Sequence, residues 1–162
     1  MQKKLEHRKH FKGHLFDKVG DFFNSFYNNH LLFSLTDAQK RVIKEIRSDF
    51  GSGAQMNRLL QGDVGSGKTI VAFLSVLIAL DNQMQATIVA PTEILAQQHY
   101  KTLSQFAAPL GLTIKLLTGA TKATERKEIH NQLQSGELQL LVGTHAVLEP
   151  NVHFQNLGFA II

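Results

Sequence analysis

The sequence predicts an α/β fold, a parallel sheet with helices on both faces, and three observations carry that prediction. Short apolar runs alternate with longer segments at helical spacing from residue 56 onward. Gly62-Asp63-Val64-Gly65-Ser66-Gly67-Lys68-Thr69 satisfies G-x-x-x-x-G-K-[ST] at every fixed position. Small or turn-forming pairs, Pro91-Thr92, Thr118-Gly119 and Gly143-Thr144, follow successive apolar runs, where parallel sheets place their ligands.

The elements follow in order. Phe16, Val19, Phe22, Phe23, Phe26 and Tyr27 recur at helical spacing and predict an amphipathic helix, broken by Asn28-Asn29-His30. Its aromatic face either docks on the core or offers rings to bases. Thr36 opens a second helix, with Gln39 placed for a capping box and Val42, Ile43 and Ile46 as its apolar stripe. Gly51-Ser52-Gly53 closes it. Met56 to Gln61 is expected to be a strand entering the glycine-rich loop, and Ile70 to Leu80 the helix leaving it. Strands are expected at Ala86–Ala90, Thr113–Leu117, Leu138–Val142 and Phe159–Ile162. Helices are expected at Thr92–Ala108 and Thr121–Gln134, the latter ending at Gly136.

Composition bounds the function classes. The chain has 162 residues, 43% hydrophobic and 19% charged, enough for one domain with a real core. The absence of cysteine excludes a disulfide scaffold and thiolate metal sites, and fits a cytoplasmic protein. No apolar run approaches the roughly 20 residues needed to span a bilayer, so no membrane partner is expected. Lys3, Lys4, Arg8, Lys9 and Lys12 against Glu6 account for the whole formal net charge of +4. This basic head is either a nucleic-acid contact or linker, or a solvated terminus.

The chemistry centres on residues 62–69. Gly62, Gly65 and Gly67 permit a tight loop whose backbone N–H groups, with those of Asp63, Val64 and Ser66, surround a phosphate. The helix beginning near Lys68 adds its positive N-terminal end. Lys68 reaches the β- and γ-phosphates, and the Thr69 hydroxyl ligates Mg²⁺. ATP with Mg²⁺ is therefore the expected cofactor. Such an enzyme also needs a carboxylate at the tip of a neighbouring strand. The only internal apolar run ending in Asp, Val76 to Asp81, lies on the helix after the loop. Phe159 to Ile162 could carry the acid, and the sequence stops there.

Beyond the loop, Ala90-Pro91-Thr92-Glu93-Ile94-Leu95-Ala96-Gln97-Gln98-His99, Leu116-Leu117-Thr118-Gly119 with Lys122, and Gly143-Thr144-His145-Ala146 resemble successive motifs of the first motor domain of superfamily 2 DNA helicases, specifically the RecG family. Leu35-Thr36-Asp37-Ala38-Gln39 resembles that family's entry motif, and Asn156 to Ile162 the lead-in to its Asp-Glu box (Walker B). The resemblance covers about residues 30–162. It implies a RecA-like P-loop NTPase sheet, truncated before the Asp-Glu box, with residues 1–33 as connector and 34–162 as a partial helicase ATP-binding domain. It further implies an ATP-dependent helicase or translocase that remodels forks and Holliday junctions in repair and recombination, with a second motor lobe and a wedge domain as partners in the parent.

Site by site, the resemblance implies that Gln39 reads the adenine edge, or else serves only its helix cap. Pro91 and Thr92 would hold a DNA phosphate at a helix N-terminus, or Thr92 merely caps the helix. Thr118 and Gly119 would approach a strand closely, or form a turn. Thr144 and His145 would contact DNA or couple the two sites. The isolated chain is expected to turn over no ATP, because the acid is missing. A transcription-repair coupling translocase shares the loop wording. A phosphate-loop phosphotransferase and a non-catalytic nucleotide-binding module are the readings from other classes.

Overall fold

A computed structural model describes residues 12–162, so the basic head before Lys12 lies outside the described residues. The fold is α/β. Four parallel strands, β1 (Gln85–Val89), β2 (Ile114–Leu117), β3 (Leu140–Gly143) and β4 (Leu157–Ile161), lie in the order β2-β3-β1-β4. The helices are α1 (Asp21–Ser25), which runs on as a π-turn over Phe26–His30, α2 (Asp37–Phe50), α3 (Lys68–Asp81), α4 (Glu93–Ala107) and α5 (Ala123–Ser135).

The period of two along β3 sorts the layers. Leu140 and Val142 join α3 and Leu103 of α4 on one face, while Leu141 packs with Ile129 and Leu133 of α5 on the other. Helix α3 is buried from Ile70 to Leu80 except at Ala72, because the sheet lies on one side of it and α1 and α2 on the other. Its sequence from Ile70 to Leu80, apolar except for Ser75, reflects that central position.

Two expectations are corrected. Met56 to Gln61 is not a strand: residues 55–63 belong to no helix or strand, so the sheet has four strands rather than five. The physical reason is that no neighbour among the described residues offers it a ladder, and Arg58 ties it to α2 instead. The Arg58 guanidinium donates to Asp49 Oδ2 from Nε at 2.9 Å and Nη2 at 2.7 Å, and to Glu45 at 2.6 Å. The hydrogen bonds to Asp49 raise its pKa above the ordinary value, against the opposing effect of burial.

The aromatic helix also begins later than its spacing suggests. Gly13 donates to the Gly53 carbonyl and Phe16 to that of Phe50, which holds residues 13–16 beside the end of α2 and the turn after it rather than in a helix. Helix α1 then starts after Gly20, and Asn28, Asn29 and His30 continue it as the π-turn instead of breaking it. The start is set at a distance. The carboxylate of Asp81, last residue of α3, accepts from the N–H groups of Gly20 (2.9 Å), Phe22 (2.9 Å) and Phe23 (3.1 Å). Asp81 thus caps α1 and supplies no acid to the loop. Asp81→Ala is expected to cost about 2 kcal/mol and to speed amide exchange in α1 before that in β3.

Phe16 and Phe26 are buried in the core, and Tyr27 is exposed. Phe26 meets Phe73 of α3 at 4.9 Å between ring centroids and Phe106 of α4 at 5.6 Å, and Phe73 meets Phe106 at 5.5 Å. These three rings join the connector to both helices beneath the sheet.

Candidate functional site

The loop of residues 62–67 leads straight into α3. Gly65 and Gly67 adopt left-handed backbone, with φ of 80° and 78°. The left-handed backbone favours glycine at Gly67, and a Cβ there would also push the side-chain amide of Gln39 aside. Ser66 N–H donates to the Asp63 carbonyl at 3.1 Å and closes the turn. The Lys68 ammonium folds back across the loop, donating to the Gly62 carbonyl and, at 2.9 Å, to that of Asp63.

The caps set α3 apart from α2 and α4. Thr36 and Thr92 accept from the third backbone N–H of α2 and α4, whereas among the described residues no side chain caps α3, as none caps α5. A left-handed glycine loop, an uncapped helix N-terminus and a lysine poised over both fit a phosphate chain. Thr69 follows at the start of the same helix, half-buried.

Gln39 reaches the loop by a route the sequence left open. Its Oε1 accepts from Thr36 N–H at 2.9 Å, completing the capping box with Thr36 Oγ1. Its Nε2 donates to the Ser66 carbonyl at 3.0 Å. One amide therefore caps α2 and braces the glycine-rich loop.

The strand ends lie along one edge. Ala90 N–H donates to the Gly143 carbonyl at 2.8 Å, and Thr144 N–H to that of Leu117 at 3.2 Å, so the segments leaving β1, β2 and β3 run side by side. Gly143 is obligatory here because a Cβ would overlap the Leu117 carbonyl oxygen. Pro91, Thr92, Gly119 and His145 are exposed along this edge. The hydroxyls of Thr118 and Thr144 are not presented in this way, since these residues are 4% and 2% exposed. Thr118 Oγ1 accepts from Ala120 N–H at 3.2 Å, and Thr144 Oγ1 has no hydrogen-bond partner among the described residues.

Two residues that sequence reasoning passed over organise this edge. Glu93 Oε1, at the start of α4, accepts from Ala120 N–H at 3.3 Å. Arg126 of α5 donates to the Thr118 carbonyl at 2.9 Å and to Glu149 at 3.0 Å, tying the turn after β2 to the turn after β3. Glu93 carried a weak signal, an acid in the first turn of a helix. Arg126 carried none, because its partners are fixed only by tertiary packing.

Among the described residues, no group of three or more His, Asp or Glu is placed to hold a metal, and no helix is long and apolar enough to cross a membrane.

Comparison with known proteins follows the same residues. Residues 36–162 match the DEAD/DEAH box helicase family. The chain is 46% identical over its full length to the ATP-dependent DNA helicase RecG of Synechocystis sp., of which it covers 19%. It is 48% identical over 82% of its length to the RecG of Aquifex aeolicus, covering 17% of that protein. Among solved structures, RecG bound to a three-way DNA junction superimposes with a TM-score of 0.88 at 40% identity, over 98% of this chain and 22% of that one. The helicase MrfA shares the fold at a TM-score of 0.61 and 17% identity, over 81% of this chain and 20% of its own. The chain thus spans about a fifth of the length of the relatives it matches. With its glycine loop, its ordered strand ends and this match over residues 36–162, the chain belongs to the DEAD/DEAH box helicase family, and its strong similarity within that family is to RecG.

Proposed function

We propose that the chain is the nucleotide- and DNA-contacting part of the first motor lobe of an ATP-dependent DNA helicase of the RecG kind. The parent would remodel branched DNA in repair and recombination, in the cytoplasm, with a second motor lobe and a wedge domain as its other parts. The observation that carries this reading is the shared edge. Lys68 and Thr69, at the N-terminus of α3 directly after the loop, line the same cavity as Ala90 and Pro91 at the end of β1. A nucleotide site and a row of strand-end turns therefore adjoin, and a movement at one has a short path to the other.

In this reading the N–H groups of residues 62–69 and the Lys68 ammonium hold the phosphates, Thr69 Oγ1 ligates Mg²⁺, and Gln39 adds an amide for the adenine edge. Bound ATP supplies the phosphoryl transfer that powers stepping. Lys68 moves its donors from the Gly62 and Asp63 carbonyls to phosphate oxygens, which links nucleotide binding to the shape of the loop. Pro91, Thr92, Gly119 and His145 form the DNA edge, and the buried Thr118 and Thr144 shape the turns behind it. Backbone contacts suit a motor that must pass over any base. Residues 1–33 serve as connector and 34–162 as a partial ATP-binding domain. None of β1, β2 or β3 is followed directly by Asp or Glu, so the chain alone binds nucleotide and turns over none.

The test is binding of a fluorescent ATP analogue and of single-stranded DNA by the purified chain. DNA binding should weaken steeply with salt. Lys122, exposed just before α5 and beside the Thr118-Gly119 turn, supplies one phosphate contact. Lys122→Ala should lower the slope of log K against log salt by roughly 0.7 for a single strand, with ATP-analogue affinity unchanged. Salt-independent DNA binding, or none alongside normal nucleotide binding, would favour the phosphotransferase reading.

A further inference from the structure

The turn over residues 118–121, which follows β2, engages most of its backbone donors within the protein. Thr118 N–H donates to Thr121 Oγ1 at 2.9 Å, and Thr121 N–H to the Thr118 carbonyl at 3.2 Å. Ala120 N–H is shared between Thr118 Oγ1 at 3.2 Å and Glu93 Oε1 at 3.3 Å. Among the described residues, the N–H of Gly119 alone in this turn has no partner, and Gly119 is exposed.

The direction of that free N–H is set by its own peptide group. The bond between Thr118 and Gly119 is trans and planar, so its C=O and its N–H point opposite ways. Arg126 Nη2 holds the Thr118 carbonyl toward α5 at 2.9 Å, which turns the Gly119 N–H away from α5. The guanidinium is itself fixed by Glu149, whose Oε2 accepts from Nη1 at 3.0 Å. With both Nη groups engaged and its side chain 22% exposed, Arg126 acts on the fold beneath the turn, whereas Lys122 beside it is exposed.

We propose that Arg126 is a positioning residue of the DNA edge. By gripping the Thr118 carbonyl it presents the Gly119 N–H to a DNA phosphate, and Glu149 keeps it in place. The proposal rests on the reading of this edge as a DNA contact. A backbone N–H on a phosphate oxygen makes a charge-assisted bond that carries no base information, as a motor passing over any sequence requires. Glycine at 119 lets the phosphate approach closely but leaves the peptide group free to turn over. Arg126 removes that freedom, and Glu93 does the same for the next peptide by holding the Ala120 N–H.

The test measures affinity of the purified chain for single-stranded DNA across a range of salt, in a cycle of Arg126→Ala with Gly119→Pro. Residue 119 is the second position of a turn closed by Thr121 N–H on the Thr118 carbonyl. Proline is favoured there, so Gly119→Pro removes the N–H with little other change. Each single substitution should weaken DNA binding about 10-fold, with ATP-analogue affinity unchanged. The slope of log K against log salt should stay that of the unaltered chain, because no cation leaves the DNA. In the Gly119→Pro background, Arg126→Ala should cost nothing further, since the group it positions is already gone. Independent, multiplied losses overturn the proposal, as does unchanged affinity in Arg126→Ala. A slope lowered by about 0.7 also overturns it, because Arg126 would then meet a phosphate itself. Should Arg126→Ala fail to fold, Arg126→Lys takes its place in the cycle. It keeps the charge without the two-armed donor, and should lose at least about 3-fold while Gly119 keeps its N–H. Full affinity in Arg126→Lys sinks the idea. If the unaltered chain binds no DNA at all, the reading of the edge fails and the proposal falls with it.

Discussion

Lys68→Ala is expected to lower affinity for an ATP analogue by about 10²–10⁴-fold, with little change in unfolding midpoint. Among the described residues the side chain makes two hydrogen bonds, both to carbonyls of the loop before it. Against phosphates its ammonium makes charge-assisted bonds worth about 1.5–3 kcal/mol each, and two of them give that range. Isothermal titration of the chain with the analogue, beside a urea melt, separates binding from folding. Lys68→Arg keeps the charge on a planar head that the turn does not accommodate in the same way, and should recover only part of the affinity. Unchanged affinity in Lys68→Ala would remove the phosphate role. Gly67→Ala is a sharper probe of geometry. It demands left-handed backbone from a residue with a Cβ and displaces the Gln39 amide from the loop at the same time.

The largest effect on stability is expected at Phe73→Ala, a loss of about 3–5 kcal/mol. Phe73 is fully buried and packs edge-on against Phe26 while also meeting Phe106. Its removal leaves a cavity between rings carried by three separate elements, and no single helix can move to fill it. Against the 5–15 kcal/mol typical of a domain, the loss is a large share of the total. A urea titration followed by circular dichroism measures it. Phe73→Leu should recover part of the loss by filling part of the volume. A loss below about 1 kcal/mol would mean that the trio is not a fixed part of the core. Exchange in α1 should rise with the substitution, because Phe26 relies on Phe73 for one side of its packing.

Much of the fold was readable because its signals are local. The phosphate loop is read from a spacing, the capping box of α2 from Thr36 and Gln39, and the end of α5 from Gly136, which takes the left-handed cap. Apolar runs gave β1, β2, β3 and β4 to within two residues of their observed ends. The failures share one cause. A strand exists only when a neighbour pairs with it, and apolar pattern in Met56–Gln61 says nothing about whether a neighbour is present. Helical spacing in Phe16–Tyr27 likewise could not reveal that residues 13–16 bond to the end of α2 and the turn after it.

The site divides along the same line. Residue identity alone determined the glycine-rich loop, the lysine and threonine beside it, and the turns that follow each strand, because these features depend on residue types at short spacing. Tertiary structure decided the rest. It turned the hydroxyls of Thr118 and Thr144 inward, gave Gln39 a second task on the loop, and set Asp81 to cap a helix about sixty residues earlier in the chain. It also chose Arg126 to join two turns. Each of these depends on which segments the packed sheet brings together, and that is fixed by burial of the whole core rather than by any short stretch of sequence.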